Sequence, residues 1–479
     1  MNQRTFLFIL SFIIIAPSIL LQINKETTSH PLYAEYFLGD VPLNITGNLS
    51  IGEKPSISNL LIPPSWDWRN YLGQDWTTPA KYQGPCGSCW AFAAMGALES
   101  VIKIREGCSL FNPDLSEQYL LSCPPNSGGC SGWNAYYAYD YLYKHGGALL
   151  EDCFPYRAND EIPCSQKCEN WLEKLVPISG YGRFYQPARD FMKKFLVENG
   201  PFVVRMAVYS DFYRYDGGIY EHPGIEPPSD INHEVIIVGY NDSQQYWICK
   251  NSWGKQWGEN GFFRIKYGDC QIEHDLIYVN YNADSFNWPP IANAGDSYKG
   301  RPNEEIIFDG SESVDPDNDI VLYEWNFGDG SFANGKTVKH AYTKERVYTV
   351  SLKVTDSENH SSTNTALVYI DGTSPNIRIL QPKEGCLYVF GKEYARFFGF
   401  VFRKPVIIGP ITIYADAKDN MKIEKVEFYI DENLVYECEN PPYSFHWKTA
   451  TNGQHSIKVI AYDYVGNKNE ENMNVIRFG

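Results

Sequence analysis

The sequence predicts a multidomain protein in which an α+β domain is followed by two all-β sandwich modules. Three observations support this. At 479 residues the chain exceeds the size of one ordinary hydrophobic core. Residues 63–282 begin with helical patterns and continue with alternating, β-branched runs, as α+β domains do. Beyond residue 288 the chain consists of short alternating runs separated by turn residues, which is typical of β-sandwiches.

The order of elements within residues 63–282 follows from the hydrophobic periodicity. Helical spacing occupies three stretches, residues 91–104, 115–123 and 133–144. Alternating or β-branched residues occupy four later stretches, residues 202–209, 234–240, 245–250 and 261–267. A helical half therefore precedes a β half.

The acidic composition excludes some classes of partner. The formal net charge is −17, with 43% hydrophobic and 21% charged residues. A nucleic-acid partner requires a basic face, which this composition does not favour. Anionic lipid would repel an acidic surface. We expect an ordinary globular protein whose charge keeps it soluble.

The N-terminus predicts export. Arg4 precedes an uncharged, mostly apolar run that ends near residue 23, as in a secretory signal; an uncleaved membrane anchor is the alternative. The twelve cysteines suit an oxidising, extracellular compartment. The protein is expected to be secreted or attached to the cell surface, with membrane contact only through such an anchor.

Residues 24–62 are polar and lack sustained periodicity, and they include sequons at Asn44 and Asn48. A short propeptide is the favoured interpretation of this stretch, and a linker is the alternative.

The chemistry concentrates around QGPCGSCWAF, residues 83–92. Cys89 stands where a run of good helix formers begins, and the positive end of a helix dipole favours thiolate over thiol. Thiolate is the form that attacks carbonyl carbon. Downstream, INHEV carries His233 and KNSWG carries Asn251.

These residues, in this order and context, resemble the papain family of cysteine proteases. The stretch LIPPSWDWRN at residues 61–70 is also similar to the start of a mature enzyme of that family. The resemblance covers residues 63–282. It implies a papain-like catalytic domain with the active site in a cleft between a helical half and a β half.

The resemblance assigns a role to each motif residue. Cys89 is the nucleophile, His233 exchanges protons with it and with the leaving amine, and Asn251 orients the imidazole. Gln83 donates its side-chain amide to the developing oxyanion, together with the Cys89 backbone N–H. Trp253 shields the His–Asn hydrogen bond from water.

Two alternatives for Cys89 were considered. A structural cysteine would not require the other motif residues. A metal site using Cys86, Cys89 and His233 has no second CxxC to complete a zinc set, so no metal and no cofactor are expected.

Two positions concern substrate specificity. The family pattern Gly-Cys-x-Gly-Gly reads GCSGW here, so Trp133 follows Gly132 at the position whose backbone faces the substrate residue two before the cleavage site. Asp275 corresponds to the floor of the main specificity pocket, where a carboxylate could receive a basic side chain. The alternative is that Asp275 is exposed or neutralised by Arg264 or Lys266.

The cysteine pattern implies a disulfide framework by resemblance. Cys86 is expected to pair with Cys130, and Cys123 with Cys164 or Cys168, leaving the other for Cys153. Further pairs are proposed as Cys249–Cys270 and Cys386–Cys438, with Cys108 free.

The remainder of the chain divides at residues 372–376 into two parts. The first β-module, residues 288–371, resembles a PKD domain through FDGS, DPDNDI and WNFGDG. Its Asp315, Asp317 and Asp319 could bind calcium, but turn formation is favoured. The second β-module, residues 374–479, is similar to immunoglobulin-like modules of secreted enzymes. Its aromatic run at residues 397–402 is interpreted as core filling, with a ligand or surface-binding patch as the alternative.

The expected function is that of a cysteine endopeptidase acting on protein or peptide substrates, with a cell-surface or matrix ligand as the candidate partner of the β-modules. A surface adhesion protein with a vestigial protease domain is one alternative, although intact motif residues speak against it. A transpeptidase is another. No His-bearing insertion that would close the cleft is recognised, so exopeptidase activity is disfavoured.

Overall fold

The computed structural model describes residues 38–41, 43, 47–58, 61–224, 230–283, 285–396 and 403–479. The predicted signal or anchor at residues 1–23, the sequon at Asn44 and the aromatic run at residues 397–402 lie outside the described residues. Among the residues described, no helix has the length and apolar character needed to cross a membrane.

The helices of the protease-like domain lie in its first half, with one exception. They are α1 (Cys89–Glu106), α2 (Glu117–Ser122), α3 (Ala135–Lys144) and α4 (Arg189–Asn199). The first three confirm the predicted helices. Ser116 and Asn134 cap α2 and α3 by accepting backbone N–H bonds, and Gly107 ends α1 at φ 66°. Sequence analysis did not predict α4, whose Met192, Phe195 and Leu196 are buried at helical spacing.

The strands of this domain form one large sheet and a short separate pair. They are β1 (Leu49–Gly52), β2 (Ser65–Asp67), β3 (Ala148–Leu149), β4 (Leu175–Val176), β5 (Gly180–Tyr185), β6 (Phe202–Met206), β7 (Ile219–Tyr220), β8 (His233–Asn241), β9 (Tyr246–Lys250), β10 (Phe262–Lys266) and β11 (Asp275–Asn280). The large sheet runs β1-β5-β11-β6-β8-β9-β10-β7, with β2 also paired to β8, and β3 pairs with β4. The predicted α+β class is confirmed.

Strand β8 lies between two hydrophobic cores. Its side chains alternate, so Ile236 and Val238 enter a core shared with the first three helices, while Val235 and Ile237 enter a core shared with α4. Because α1 packs against β8, the start of the helix and the start of the strand meet between the two cores.

The first β-module is a sandwich of a five-stranded and a two-stranded sheet. Its strands are β12 (Ser297–Gly300), β13 (Ile306–Asp309), β14 (Leu322–Asn326), β15 (Phe332–Asn334), β16 (Thr337–His340), β17 (Arg346–Thr355) and β18 (Ser361–Ile370), ordered β12-β18-β17-β14-β15 and β13-β16. Alternate residues fill its core, including Phe308, Trp325 and Tyr342.

The second β-module is also a sandwich. Its strands are β19 (Asn376–Gln381), β20 (Cys386–Val389), β21 (Lys392–Arg396), β22 (Val406–Ile408), β23 (Ile411–Lys418), β24 (Ile423–Ile430), β25 (Asn433–Cys438), β26 (Ser444–Trp447), β27 (Gly453–Asp463) and β28 (Lys468–Phe478). The sheets run β19-β23-β26 and β21-β20-β22-β28-β27-β24-β25. Both all-β predictions are confirmed.

Three disulfide bonds link the helical half. They join Cys86 to Cys130, Cys123 to Cys164 and Cys153 to Cys168, with Cα–Cα distances of 4.6, 4.9 and 4.9 Å. These are pairings that the resemblance implied, and Cys123 takes Cys164 rather than Cys168. Cys108 is free, as expected.

Two proposed disulfides are wrong. Cys249 lies opposite Phe263 near the start of β10, whereas Cys270 follows the far end of that strand, so both thiols are free. Cys386 and Cys438 belong to β20 and β25, which lie near opposite edges of the seven-stranded sheet, and they are also free. A disulfide bond requires Cα atoms about 4.4–6.8 Å apart, so it cannot join cysteines that are separated by the length of a strand or by several strands.

The connection between the protease-like domain and the first β-module differs from the polar hinge that residues 283–289 predict. Trp288 is 2% exposed and belongs to the core of the helical half. Its ring lies 4.7 Å from that of Phe111, and its Nε1 donates to the Tyr281 hydroxyl at 3.1 Å. Its backbone N–H donates to Asp317 of the first β-module at 2.5 Å. The two domains therefore meet at this residue.

Candidate active site

Cys89 is the first residue of α1 and has no exposed surface. The preceding Ser88 does not cap the helix with its side chain; its hydroxyl lies 2.7 Å from that of Tyr156. The thiol therefore stands at the positive end of an 18-residue helix, as the sequence predicted.

His233 and Asn251 are brought together by strand pairing. β8 begins at His233 and β9 ends immediately before Asn251, and the two strands are antiparallel neighbours. Nε2 of His233 lies 2.8 Å from Oδ1 of Asn251. Trp253 is 2% exposed, and its ring centroid lies 5.0 Å from that of His233. This geometry suits the shielding role that the resemblance implies for Trp253.

The other ring nitrogen of His233, Nδ1, is not engaged by Asn251. The backbone of Glu234, the residue after His233, hydrogen-bonds the Cys89 thiol, which fixes the thiol at the start of β8. Nδ1 of His233 is buried and has no hydrogen-bond partner among the described residues. An imidazole held by Asn251 at Nε2 thus keeps Nδ1 for exchange with a thiol.

Gln83 is fixed beside the loop that precedes Cys89. Its side chain has no exposed surface, its Oε1 accepts a bond from the Ser252 hydroxyl at 2.6 Å, and its Nε2 donates to the Cys86 carbonyl at 2.8 Å. Its backbone N–H also donates to the Ser252 carbonyl at 2.9 Å. The amide that sequence analysis assigned to the oxyanion is therefore rigidly oriented.

Residues 38–41 lie across the cleft. Trp133 donates its N–H to the Gly39 carbonyl at 2.9 Å, and the Val41 N–H donates to the Trp133 carbonyl at 2.9 Å. These bonds make Asp40 the partner of Trp133 in a parallel bridge. The substituted tryptophan keeps the backbone pairing expected at that position, and its indole packs edge-on against Trp90 at 5.3 Å.

Glycines allow this close approach. A Cβ on Gly39 would lie 1.7 Å from the Gly87 carbonyl oxygen, and a Cβ on Gly132 would lie 2.5 Å from the Gly39 carbonyl oxygen. Since Gly132 also has φ 107°, a side chain there would be strained as well as obstructed. Residues 38–41 therefore pack directly against backbone atoms of the loops beside Cys89.

Burial under this segment changes the expected protonation. Loss of water contact raises the pKa of the Cys89 thiol, and the carboxylates of Glu234 and Asp40 add to the effect. Burial lowers the pKa of His233 to about 4, against the opposing hydrogen bond to Asn251. Both shifts favour the neutral forms of the two groups while the segment is in place.

The Asp40 side chain enters a pocket beside Trp133. Its two oxygens accept from Arg205, with Nε at 3.0 Å from each and Nη2 at 2.7 Å from Oδ2. Asn134 Nδ2 donates to Oδ1 at 3.1 Å. Glu234 completes the pocket and bonds to the N–H of Ala135 at 3.1 Å. Burial and then Asp40 raise the pKa of Glu234 well above its usual value.

Asp275 does not present a free carboxylate, which corrects the expectation from sequence. It has no exposed surface, it accepts from Nε of Arg183 at 2.5 Å, and it pairs with Nη1 of Arg205 at 3.1 Å. The two cations considered as its partners, Arg264 and Lys266, pair with other carboxylates. Two buried arginines already neutralise Asp275, so a basic substrate side chain would find no unpaired charge there.

Sequence analysis missed Arg205 and Glu234. Each interrupts a buried strand, Arg205 in FVVRM and Glu234 in HEVIIVGYN, and each is 3% exposed or less. A charge inside an otherwise apolar strand was the available signal, because such groups are buried only when paired.

Three parts of the chain match known families. Residues 62–280 match the family described as "Papain family cysteine protease". These residues form a domain of the papain family of cysteine proteases. Residues 287–370 match "PKD domain" and residues 405–459 match "Bacterial Ig domain", so the two β-modules that follow the papain-like domain are of these types.

The similar proteins are cathepsins and plant thiol proteases. The chain is 35% identical to cathepsin S of Mus musculus over 218 residues, which is 44% of this chain and 60% of that protein. It is 37% identical to the P34 probable thiol protease of Glycine max over 216 residues, 43% of this chain and 53% of that protein. The chain thus spans 53–60% of the length of these relatives.

A solved structure of digestive procathepsin L2 proteinase from Tenebrio molitor larval midgut is 34% identical. The match covers 46% of this chain and 69% of the procathepsin chain, with a TM-score of 0.42.

Proposed function

We propose that the protein is a secreted or surface-attached papain-like cysteine endopeptidase. It hydrolyses peptide bonds through Cys89, His233 and Asn251, with Gln83 at the oxyanion. The observation that carries this proposal is the 2.8 Å contact between His233 Nε2 and Asn251 Oδ1, which leaves the buried Nδ1 available to exchange a proton with Cys89.

Catalysis begins when residues 38–41 leave the cleft. Water and substrate then reach the site, so the desolvation that favours neutral thiol and neutral imidazole is relieved. The Cys89 proton passes to His233 Nδ1, and the resulting thiolate attacks the scissile carbonyl carbon. Asn251 holds the ring so that Nδ1 keeps facing the sulfur.

The tetrahedral oxyanion accepts hydrogen bonds from the Gln83 side-chain amide and the Cys89 backbone N–H. His233 donates its proton to the leaving amine, and the carbon–nitrogen bond breaks to give a thioester on Cys89. His233 then takes a proton from water, whose oxygen attacks the thioester. Collapse of the second intermediate releases the carboxylic acid and returns the proton to the thiolate.

Residues 38–41 hold the enzyme inactive in this proposal. The segment covers Cys89, pairs with Trp133 where a substrate backbone would bind, and continues to β1, which pairs with β5. It therefore acts as a short propeptide, which must be displaced or cleaved before substrate enters.

Export is consistent with the chemistry of the chain. Three disulfide bonds and two β-modules of types common outside cells support an extracellular site of action. In this proposal the β-modules attach the enzyme to a cell-surface or matrix ligand, and proteins or peptides are its substrates.

The test is labelling of the processed protein with an epoxysuccinyl probe, combined with peptide hydrolysis. We expect the probe on Cys89, and we expect Cys89→Ala and His233→Ala each to lower kcat/KM by several orders of magnitude with the fold retained. Cys108→Ala, which removes a half-buried free thiol elsewhere, is the matched control and should keep both labelling and activity. Activity of either active-site variant within tenfold of wild type would overturn the mechanism.

The same experiment separates the alternatives. An adhesion protein with a vestigial site would neither label nor hydrolyse peptides. A transpeptidase would label at Cys89 but give joined peptides as its main product when an amine acceptor is present.

A further inference from the structure

Three aspartates converge where the first β-module meets the second. Asp371 follows β18 and begins the connector, Asp419 follows β23, and Asp463 ends β27. One carboxylate oxygen from each lies within 4.8 Å of the others. Asp371 and Asp463 have no exposed surface, so the cluster lies in the junction rather than on a solvated face.

Asp463 uses both of its oxygens in hydrogen bonds, whereas Asp371 and Asp419 each leave one oxygen without a partner among the described residues. Oδ1 of Asp371 accepts from Thr373 N at 2.9 Å, and Oδ1 of Asp419 accepts from Met421 N at 3.0 Å. The Oδ2 atoms of both residues are buried and accept no hydrogen bond within the described part of the chain. Turn formation therefore explains one oxygen of each residue and leaves the other without a partner.

Among the described residues, no cation compensates this charge. In the ranges that the structure describes, none of the three aspartates takes part in an ion pair with Lys, Arg or His. Buried carboxylates repel each other strongly unless a positive charge lies between them.

We propose that Asp371, Asp419 and Asp463 bind a calcium ion. Calcium prefers carboxylate and carbonyl oxygens at about 2.3–2.6 Å, so oxygens on opposite sides of the ion lie up to about 5 Å apart, which accommodates the 4.8 Å limit of this cluster. Magnesium would require a tighter octahedron. Because Asp371 belongs to the connector and the other two to the second β-module, the ion fixes the two modules relative to each other.

Neighbouring contacts favour this role. Asn467 Nδ2 donates to the Asp371 carbonyl at 3.0 Å and to Asp463 Oδ2 at 2.8 Å, and its Oδ1 accepts from Arg301 of the first module at 2.8 Å. The cluster is thus embedded in a polar network that spans the junction.

The test is calcium binding by the full chain after treatment with chelator, measured by titration calorimetry with calcium and then with magnesium. Asp419→Asn keeps the oxygen that caps the turn but removes the charge; Asp416→Asn, at a solvent-facing residue paired with Lys418, is the control. A similar trio, Asp315, Asp319 and Asp356, lies in the first module and could also bind calcium. The quantity compared is therefore the difference in calcium binding between Asp419→Asn and wild type.

We expect Asp419→Asn to lose one calcium site, or to weaken it at least tenfold, while Asp416→Asn binds as wild type does. Calcium should also slow protease cleavage within residues 372–375 of wild type but not of Asp419→Asn. Equal calcium binding and equal cleavage in wild type and Asp419→Asn would overturn the proposal. Circular dichroism identifies a variant that fails to fold. In that case the proposal is tested by the cleavage assay on wild type alone, and equal cleavage with and without calcium would overturn it.

A second inference rests on the proposed function and on a different observation, the pocket that holds Asp40. Asp40 is the residue opposite Trp133, and the backbone at Trp133 is where the papain resemblance places the substrate residue two before the cleaved bond. The Asp40 side chain therefore marks the pocket for that substrate side chain.

The pocket matches a carboxylate in charge and geometry. Arg205 is 3% exposed and offers Nε and Nη2 to Asp40 and Nη1 to Asp275. Arg183 and Arg205 together supply two positive charges against the carboxylate of Asp275. Glu234 also lines the pocket, but burial raises the pKa of its carboxyl well above the usual value, which favours its neutral form. An apolar side chain would leave two guanidinium N–H groups buried without acceptors, which is costly.

The geometry points to Arg205 as the residue that selects an acidic side chain two positions before the scissile bond. A planar guanidinium binds a carboxylate through two parallel hydrogen bonds, so an aspartate side chain should bind better than an asparagine side chain. A basic side chain would meet Arg205 as a like charge.

The test compares kcat/KM of the processed enzyme for fluorogenic dipeptides bearing Asp, Asn, Leu or Arg at that position. We expect wild type to favour Asp over Leu at least tenfold and over Arg by more. Arg205→Gln should remove this preference while Cys89 still reacts with the probe. Arg264→Gln, at a half-buried ion pair with Glu259, is the control and should leave the ratios unchanged.

The outcomes separate this inference from the proposed function. If no peptide is cleaved and Cys89 is not labelled, the proposed function fails. If peptides are cleaved but Leu is preferred to Asp, or the Asp-to-Leu ratio is the same in Arg205→Gln, only the role of Arg205 is overturned.

Discussion

Two buried glutamates beside Lys81 differ in charge. Glu99 accepts from Lys81 Nζ at 2.9 Å, from the Thr78 hydroxyl at 2.6 Å and from a backbone N–H. Burial opposes its ionisation, but the charges of Lys81 and Lys250 outweigh it and lower the pKa of Glu99. Burial and the neighbouring Glu99 raise the pKa of Glu117 to about 8, although Lys81 opposes the shift. At neutral pH the pair therefore carries one charge.

This difference predicts how stability depends on pH. Because the folded pKa of Glu117 exceeds the unfolded value of 4.5, the folded state binds more protons between pH 4.5 and 8, so the free energy of unfolding falls as pH rises through that window. Glu117→Gln removes this slope. We expect its Tm to exceed that of wild type by about 2–4 °C at pH 8, with a smaller difference at pH 5.

Glu99→Gln is the matched control for Glu117→Gln. It removes a carboxylate that is ionised and fully paired, so it should lower the Tm of the papain-like domain at both pH values. If Glu117→Gln destabilises the protein at pH 8 as much as Glu99→Gln does, Glu117 is charged and the assignment is wrong.

The catalytic motif residues were predictable because each stands in its own local sequence context. Cys89 begins a helix, and His233 and Asn251 lie at the adjoining ends of neighbouring strands. The contact of Asp40 with Arg205 spans 165 positions and has no local signature. Asp275 was assigned by position alone, and its function depends on two arginines that only the fold brings to it.

At the scale of elements, the segment that covers the cleft depends on one glycine. A Cβ at Gly39 would lie 1.7 Å from the Gly87 oxygen, closer than any real contact, so Gly39→Ala must displace residues 38–41. We expect the unprocessed chain with this change to react with the epoxysuccinyl probe at least tenfold faster than wild type. Mass analysis must show that the N-terminal segment is still attached.

Ser56→Ala is the control for this change, since it alters an exposed side chain in the same N-terminal segment. Its labelling rate should match that of wild type. Equal rates for Gly39→Ala and wild type would mean that the segment does not limit access to Cys89.

Elements also differed in how far the sequence predicted them. α1 to α3 were predictable from continuous helical spacing, and the β-modules from alternation and turn residues. α4 was missed because charged residues are interspersed through RDFMKKFLVEN, where the buried apolar residues are only Met192, Phe195 and Leu196. The free thiols of Cys249 and Cys270 show that pairing depends on strand register, which spacing alone does not give.

At the scale of the whole molecule, the papain-like domain extends beyond its expected end. The papain resemblance covers residues 63–282, but Trp288 also lies in the core of the helical half. Trp288→Ala removes a fully buried indole, which typically costs about 3–5 kcal/mol. We expect the free energy of unfolding of the papain-like domain in the full chain to fall by about that amount.

Phe332→Ala, at a residue 72% exposed in the first β-module, is the control and should leave stability nearly unchanged. A chain that ends at residue 282 should share the defect of Trp288→Ala, and one that ends at residue 290 should not. Equal Tm values for the two shortened chains would show that the indole is dispensable.

The buried indole also determines what a backbone cut before it would do. If a protease cleaved the connection between residues 282 and 288, the covalent link between enzyme and β-modules would be lost. Trp288 would nevertheless remain in the enzyme's core with its bond to Tyr281, while its N–H remained bonded to Asp317 of the neighbouring module. The two fragments would therefore migrate together through a sizing column and separate only in denaturant, so a severed chain would still behave in solution as one particle.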